Sequence, residues 1–205
     1  VYAANRAVII AVGRYDFLTI PPLVGPANDA ALMNAVLRSV GLSSEHVVSL
    51  TDDSIETLLP RKANILRVLA ETARRSRAGD NVVLYFSGHG AQIPQMNSGV
   101  AGRYVEPDGL DEVFITRDTR MWDKDRKRAE GALLDDEIGK ALAAFTLRRV
   151  NVWVIFDSCH AGDMVRAAPH HLQNADVVWR GLAPETLGAP DADNISGSSG
   201  ATRSL

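Results

Sequence analysis

His89 and Cys159 are the residues of this sequence best suited to covalent chemistry. His89 sits in Tyr85-Phe86-Ser87-Gly88-His89-Gly90, and Cys159 in Phe156-Asp157-Ser158-Cys159-His160-Ala161-Gly162. The chain has 205 residues and 1 cysteine. An intrachain disulfide and a cysteine-rich zinc site are therefore excluded. A lone thiol is a small buried hydrophobe or a reactive group. Near its reference pKa of ~8.5 a thiol is only a few per cent thiolate at neutral pH. An adjacent imidazole takes its proton or holds the thiolate as an ion pair, and then protonates a departing amine. On this reading Cys159 is the nucleophile and His89 the general acid and base. Glycines at 88 and 90 let backbone approach a substrate carbonyl. The Gly90 and Cys159 amides would form an oxyanion hole, in which losing one donor typically costs ~10²–10³ in rate. The competing reading is a buried structural cysteine beside a loop histidine.

Two distant segments must meet for this chemistry, so the elements that carry them matter. Apolar runs over 6–12, 47–50, 81–86 and 150–156 are rich in Val and Ile and nearly continuous. That is the pattern of strands buried on both faces of a parallel sheet. Helical periodicity lies between them. Residues 28–40 carry Ala31, Leu32, Ala35, Val36 and Val40; residues 62–75 carry Ile65, Leu66, Leu69 and Ala73; residues 135–145 carry Ile138, Ala141, Leu142 and Phe145. Gly41 and Gly79 read as stops. The alternation predicts an α/β fold, a three-layer α/β/α sandwich around a mainly parallel sheet with right-handed crossovers. Ligands bind beyond the carboxyl ends of such strands. His89 and Cys159 both lie just past such ends, and Asp29 follows the first strand to the same edge. The stretch 88–134 reads as a long loop with a small hairpin near Val113 to Thr116 and a basic run at 124–128. Beyond Gly162 the pattern lapses, apart from a short strand expected at 177–179; 191–200 reads as a linker.

Composition narrows the function classes. There are 22 Lys+Arg against 25 Asp+Glu, a formal net charge of −3. A strongly nucleic-acid-binding module would be basic. The apolar runs fall far short of the roughly 18–20 residues that span a bilayer. Neither a nucleic-acid nor a membrane partner is expected, and a single free thiol fits a reduced, cytoplasmic compartment. The chain starts at Val1 rather than Met, and a trimmed upstream segment is expected. A dinucleotide-binding or phosphate-binding glycine loop is absent from the sequence.

The His89 and Cys159 segments closely resemble metacaspases and the prokaryotic orthocaspases, which are caspase-like cysteine peptidases. Two further pieces are similar in order: Val24-Gly25-Pro26-Ala27-Asn28-Asp29-Ala30 and Pro60-Arg61-Lys62-Ala63-Asn64-Ile65. The resemblance spans about 6–165 and implies a caspase-like fold with a Cys–His dyad cutting after Arg or Lys. It implies a specificity pocket from Asp29, Ser87 and Asp157, since paired carboxylates suit a guanidinium. The plainer alternatives are a helix cap for Asp29, a turn residue for Asp157 and a small filler at Ser87. The resemblance also implies a Ca²⁺ activator site at Asp111, Asp135 and Asp136, by hard oxygen ligation. A further aspartate of the family is Arg166 here, and Asp163 is a substitute. Capping of the third helix is the alternative for Asp135-Asp136. Residues 1–165 are expected to form the catalytic large-subunit domain. Residues 166–205 would be a processing linker to a small-subunit half carrying the last two strands, which this chain lacks. Protein or peptide substrates and that small-subunit half are the expected partners. Self-cleavage is expected in the linker, with Arg180 preferred over Arg103, Arg166, Arg203 and the 124–128 run. A catalytically quiet scaffold acting through protein partners is the alternative function.

Overall fold

The computed structural model describes residues 4–95, 109–158 and 181–190. In chain order the elements are β1 (Asn5–Ala11), α1 (Gly25–Ser39), β2 (Val47–Leu50), α2 (Lys62–Arg75), β3 (Asn81–Ser87), β4 (Gly90–Pro94), β5 (Leu110–Phe114), β6 (Trp122–Asp123), β7 (Arg128–Ala129), β8 (Leu133–Leu134), α3 (Asp135–Thr146), β9 (Asn151–Asp157) and β10 (Gly181–Leu182). The four apolar runs are four strands of one sheet, ordered β2-β1-β3-β9 and parallel throughout. Helices α2 and α3 bury Ile65, Leu69, Ile138 and Phe145 against Val8, Ile10, Leu84 and Phe86 on one face. Helix α1 covers Ala7, Ile9, Ala11 and Tyr85 on the other with Ala30 and Leu37. The expected three layers are present. Among the described residues no helix is long and apolar enough to cross a membrane.

Three expectations are corrected. First, α1 begins at Gly25 rather than 28, with Pro26 in the first turn, where its missing N–H costs nothing. Its predicted stripe is not the buried one: Ala31, Leu32, Ala35, Val36 and Val40 are all exposed, while Pro26, Ala30 and Leu37 are buried. The helix is apolar on more than one side, so periodicity alone did not select the face.

Second, the described residues of 88–134 carry five short strands rather than one small hairpin. After His89 the chain enters a second sheet, ordered β10-β4-β5-β8, in which β5 runs antiparallel to β4 and β8. Val113 and Phe114 end β5, and Thr116 begins a turn in which its amide donates to Thr119 Oγ1 at 2.9 Å. The paired strands are short and carry Gly, Gln, Asp and Glu, which hid them. Phe86 joins the two sheets, stacking on Phe156 at 4.6 Å and meeting Phe114 edge-on at 5.5 Å.

Third, residues 181–190 are not free linker: β10 pairs with β4, and Leu187 and Ala189 are buried in the core of the second sheet. Those apolar residues lie between Pro184, Gly188 and Pro190, which read as loop punctuation. The strand expected at 177–179 and the linker at 191–200 lie outside the described residues.

Asp80 anchors the end of the main sheet opposite the one that carries Ser87 and Asp157. Its carboxylate accepts the Ala4 amide at 2.8 Å and the Arg77 amide at 2.9 Å. Those two bonds, Ala4 first, hold its pKa below the ordinary 3.8. A depressed carboxylate contributes stability that is present above the unfolded-state pKa and is lost as pH falls through the folded one. Asp80→Ala should therefore cost roughly 1–2 kcal/mol at pH 7. In urea melts the difference from wild type should shrink below about pH 4; a difference constant with pH would contradict this.

Candidate active site

Strand register sets the site. Ser87 at the end of β3 is paired with Asp157 at the end of β9, and Ala11 at the end of β1 is paired with Ser87. Three strands thus deliver their carboxyl ends side by side. His89 follows two residues after Ser87, and Cys159 two residues after Asp157. Neighbouring strands lie about 4.8 Å apart. Cys159 itself lies outside the described residues, as do Asp163, Arg166 and Arg180 and the other cleavage candidates Arg103 and Arg203.

His89 occupies the junction where the chain leaves the main sheet for the second one. Its backbone is held on both sides. Its N–H donates to the Tyr15 hydroxyl at 3.2 Å, and its carbonyl accepts the Ile115 amide at 2.9 Å. Its half-buried ring stacks on that of Tyr15, with centroids 5.5 Å apart and planes 30° apart. Space at Gly88 is tight: a Cβ there would lie 3.1 Å from the Val12 carbonyl oxygen and 3.2 Å from the Phe114 ring. Gly90 is buried, opens β4, and is in register with Phe114 and Gly181.

The three residues assigned to a specificity pocket come together at this edge. Ser87, fully buried, donates its hydroxyl to Asp29 Oδ2 at 2.8 Å. Tyr85 donates to Asp157 Oδ2 at 3.1 Å. Burial, with Asp157 and Asp29 close by, pushes the Tyr85 phenol well above its ordinary value of 10.0. Tyr85 therefore stays a neutral donor at physiological pH. The cap reading of Asp29 fails, since it is the fifth residue of α1, the first turn holds no acid, and Val24 occupies the cap position. Tyr85 and Tyr15 were not singled out from sequence. Tyr85 lies within the apolar run 81–86, and Tyr15 lies in a loop, where an aromatic carries no spacing signal; its place just beyond β1, on the same edge, was the available clue.

The acidic residues assigned to calcium are placed differently. Asp111 is buried in β5, while Asp135 and Asp136 are half-buried in the first turn of α3. The capping bond of α3 is made instead by Glu137, which accepts the Leu134 amide at 3.0 Å and pairs with Lys62 at 2.8 Å. Among the described residues no three His, Cys, Asp or Glu side chains are grouped to hold a metal ion. Of the basic run at 124–128, residues 124–127 are the exposed tip of the β6–β7 hairpin and half-buried Arg128 opens β7; Asp123 Oδ1 accepts the Asp125 and Arg126 amides.

The chain is similar to known proteins in sequence and in fold. The family model described as "Metacaspase, peptidase C14 domain" matches residues 5–168, a span that includes both motifs. Metacaspase-1B of Aspergillus fumigatus is 34% identical over 142 residues, 68% of this chain and 31% of its own length. Metacaspase-1 of Candida albicans is 30% identical over 144 residues, 70% of this chain and 30% of its own. The chain thus spans about a third of the length of the curated relatives it matches. Among solved structures, protein GSU0716 from Geobacter sulfurreducens shares the fold, with a TM-score of 0.56 at 24% identity, over 90% of this chain and 59% of that one.

Proposed function

Because this chain belongs to the metacaspase family, we propose that it carries the catalytic residues of a caspase-like cysteine endopeptidase that cuts after Arg or Lys. The observation that supports the dyad most strongly is the pairing of Ser87 with Asp157, which brings the two motifs to one edge. In the proposed reaction Cys159 Sγ attacks the carbonyl carbon of the scissile bond while His89 takes the thiol proton. The Gly90 and Cys159 amides hold the oxyanion. His89 gives its proton to the leaving nitrogen as the C–N bond breaks, leaving a thioester. Water then attacks that thioester, with His89 accepting its proton, and the carboxylic acid and free thiol are released.

Basic specificity is supported by the Asp29, Ser87, Tyr85 and Asp157 group. Ser87 and Tyr85 aim hydroxyl donors at the two carboxylates, which fixes their orientation at one edge. A guanidinium is matched to such a pair through forked bonds. Self-processing after Arg180 would break the bond immediately before Gly181, the first residue of β10, and leave Gly181 and Leu182 to stay paired with β4 after the cut. The remaining small-subunit half is the proposed protein partner. No step is routed through calcium.

A fluorogenic Arg-amide tests this reading, assayed beside its Asp- and Leu-amide counterparts, each with and without calcium. Turnover of the Arg compound alone is the expected result. Equal turnover of the three would refute basic specificity, and an unchanged rate over the calcium titration would remove the activator role.

A further inference from the structure

We propose that Tyr15 is a positioning residue for His89, setting both the backbone and the ring plane of the catalytic base; this rests on the reading of His89 as the general acid and base. One phenol makes three contacts. Its hydroxyl accepts the His89 N–H at 3.2 Å and donates to the Val12 carbonyl at 3.1 Å. Its ring lies against the imidazole at 5.5 Å. The first two tie the His89 backbone to the end of β1, and the third restricts rotation of the imidazole. Phenylalanine would keep the stack and lose the tie; leucine would lose both.

Tyr15 is itself held by a polar clamp joining three loops at the carboxyl edge of the sheet. The Gly13 and Arg14 amides donate to Asp52 Oδ2 at 2.7 and 3.0 Å. Gly13 allows the tight path: a Cβ there would lie 2.4 Å from the Leu23 carbonyl oxygen. The Asp16 amide donates to the Arg117 carbonyl at 2.9 Å. The Arg117 guanidinium returns to Asp16 Oδ1 at 3.0 Å and to the Asp52 carbonyl at 2.9 Å. Arg61 approaches Asp16 at 3.5 Å. Both neighbours of Tyr15 in the chain are thus fixed to elements outside their own loop. Burial raises the Asp52 carboxyl above its ordinary 3.8 despite the two amide bonds and Arg117. Asp52 is a half-buried acid held by bonds from both sides of the clamp.

Positioning of a general base contributes to the turnover step rather than to substrate binding, because a displacement of about 1 Å costs up to ~10²-fold in rate. In the full chain, Tyr15→Phe should lower kcat about tenfold and Tyr15→Leu about hundredfold. KM for the Arg-amide should change by less than about twofold, the mark of lost transition-state positioning. A second readout needs no substrate. The His89 Hε1 proton, identified by its loss in His89→Ala, should show a ring-current shift that Phe retains and Leu abolishes. The proposal is overturned if Leu leaves that resonance and kcat unchanged, or if KM rises at constant kcat. It is equally overturned if kcat falls only in step with lost folded protein. Full activity in His89→Ala would refute the underlying dyad instead. Inactive His89→Ala with wild-type kcat in Tyr15→Leu would sink the Tyr15 inference alone.

Discussion

Cys159→Ala is expected to lower hydrolysis of an Arg-amide by at least about 10⁴-fold, and His89→Ala by a similar factor, with the double variant no worse than either. Nucleophile and base act as one unit, so removing either leaves the other without a task; the residual rate is what binding and the oxyanion hole supply. Additive losses in the double variant would mean that the two residues work independently. Cys159→Ser keeps the shape and replaces the thiol by a hydroxyl that this imidazole ionises far less readily, so it should also be nearly inactive. Thermal melts should move little, because Ala at 159 removes one sulfur. An inactive variant that melts normally separates loss of chemistry from loss of fold.

The second large effect is on specificity. Asp29→Asn and Asp157→Asn should each lower kcat/KM for an Arg substrate by about 10²–10³-fold, since a buried cation left with one carboxylate loses several kcal/mol. Turnover of a substrate with a neutral residue at the same position should fall by much less, because the dyad is untouched. The two losses need not be equal. Asp29 is held by Ser87 and Asp157 by Tyr85, from neighbouring positions on β3. Equal losses on basic and neutral substrates would show that these carboxylates support the fold rather than read the cation.

How much of this was legible in the sequence follows from which signals are local. The four strands of the main sheet were, because burial on both faces leaves continuous Val-Ile-Phe runs, as in 81–86 and 150–156. Helices α2 and α3 were, with Ile65, Leu69, Ile138 and Phe145 on the faces expected. The buried face of α1 was not: Leu32 and Val36 are as apolar as Met33 and Leu37, and only the sheet decides between them. The second sheet was hidden because β4 and β5 are five residues each and their apolar residues are interrupted by Gln92, Asp111 and Glu112. Of the site, the motif residues were visible as residues, and the register that brings them together emerged only from strand pairing. Tyr15 was invisible because its role depends on where a loop folds back. The acidic residues read as calcium ligands show the limit of type and order as a signal: Asp111 lies in β5, and Asp135 and Asp136 open α3.

The most direct test of the central claim is covalent labelling. An Arg-based chloromethylketone, incubated with the active protein and followed by peptide mass spectrometry, should alkylate Cys159 alone. The rate of labelling should match the rate of activity loss, and an Asp29→Asn variant should react far more slowly. An adduct on any other residue, or activity that persists after Cys159 is fully modified, would contradict the assignment of Cys159 as the nucleophile.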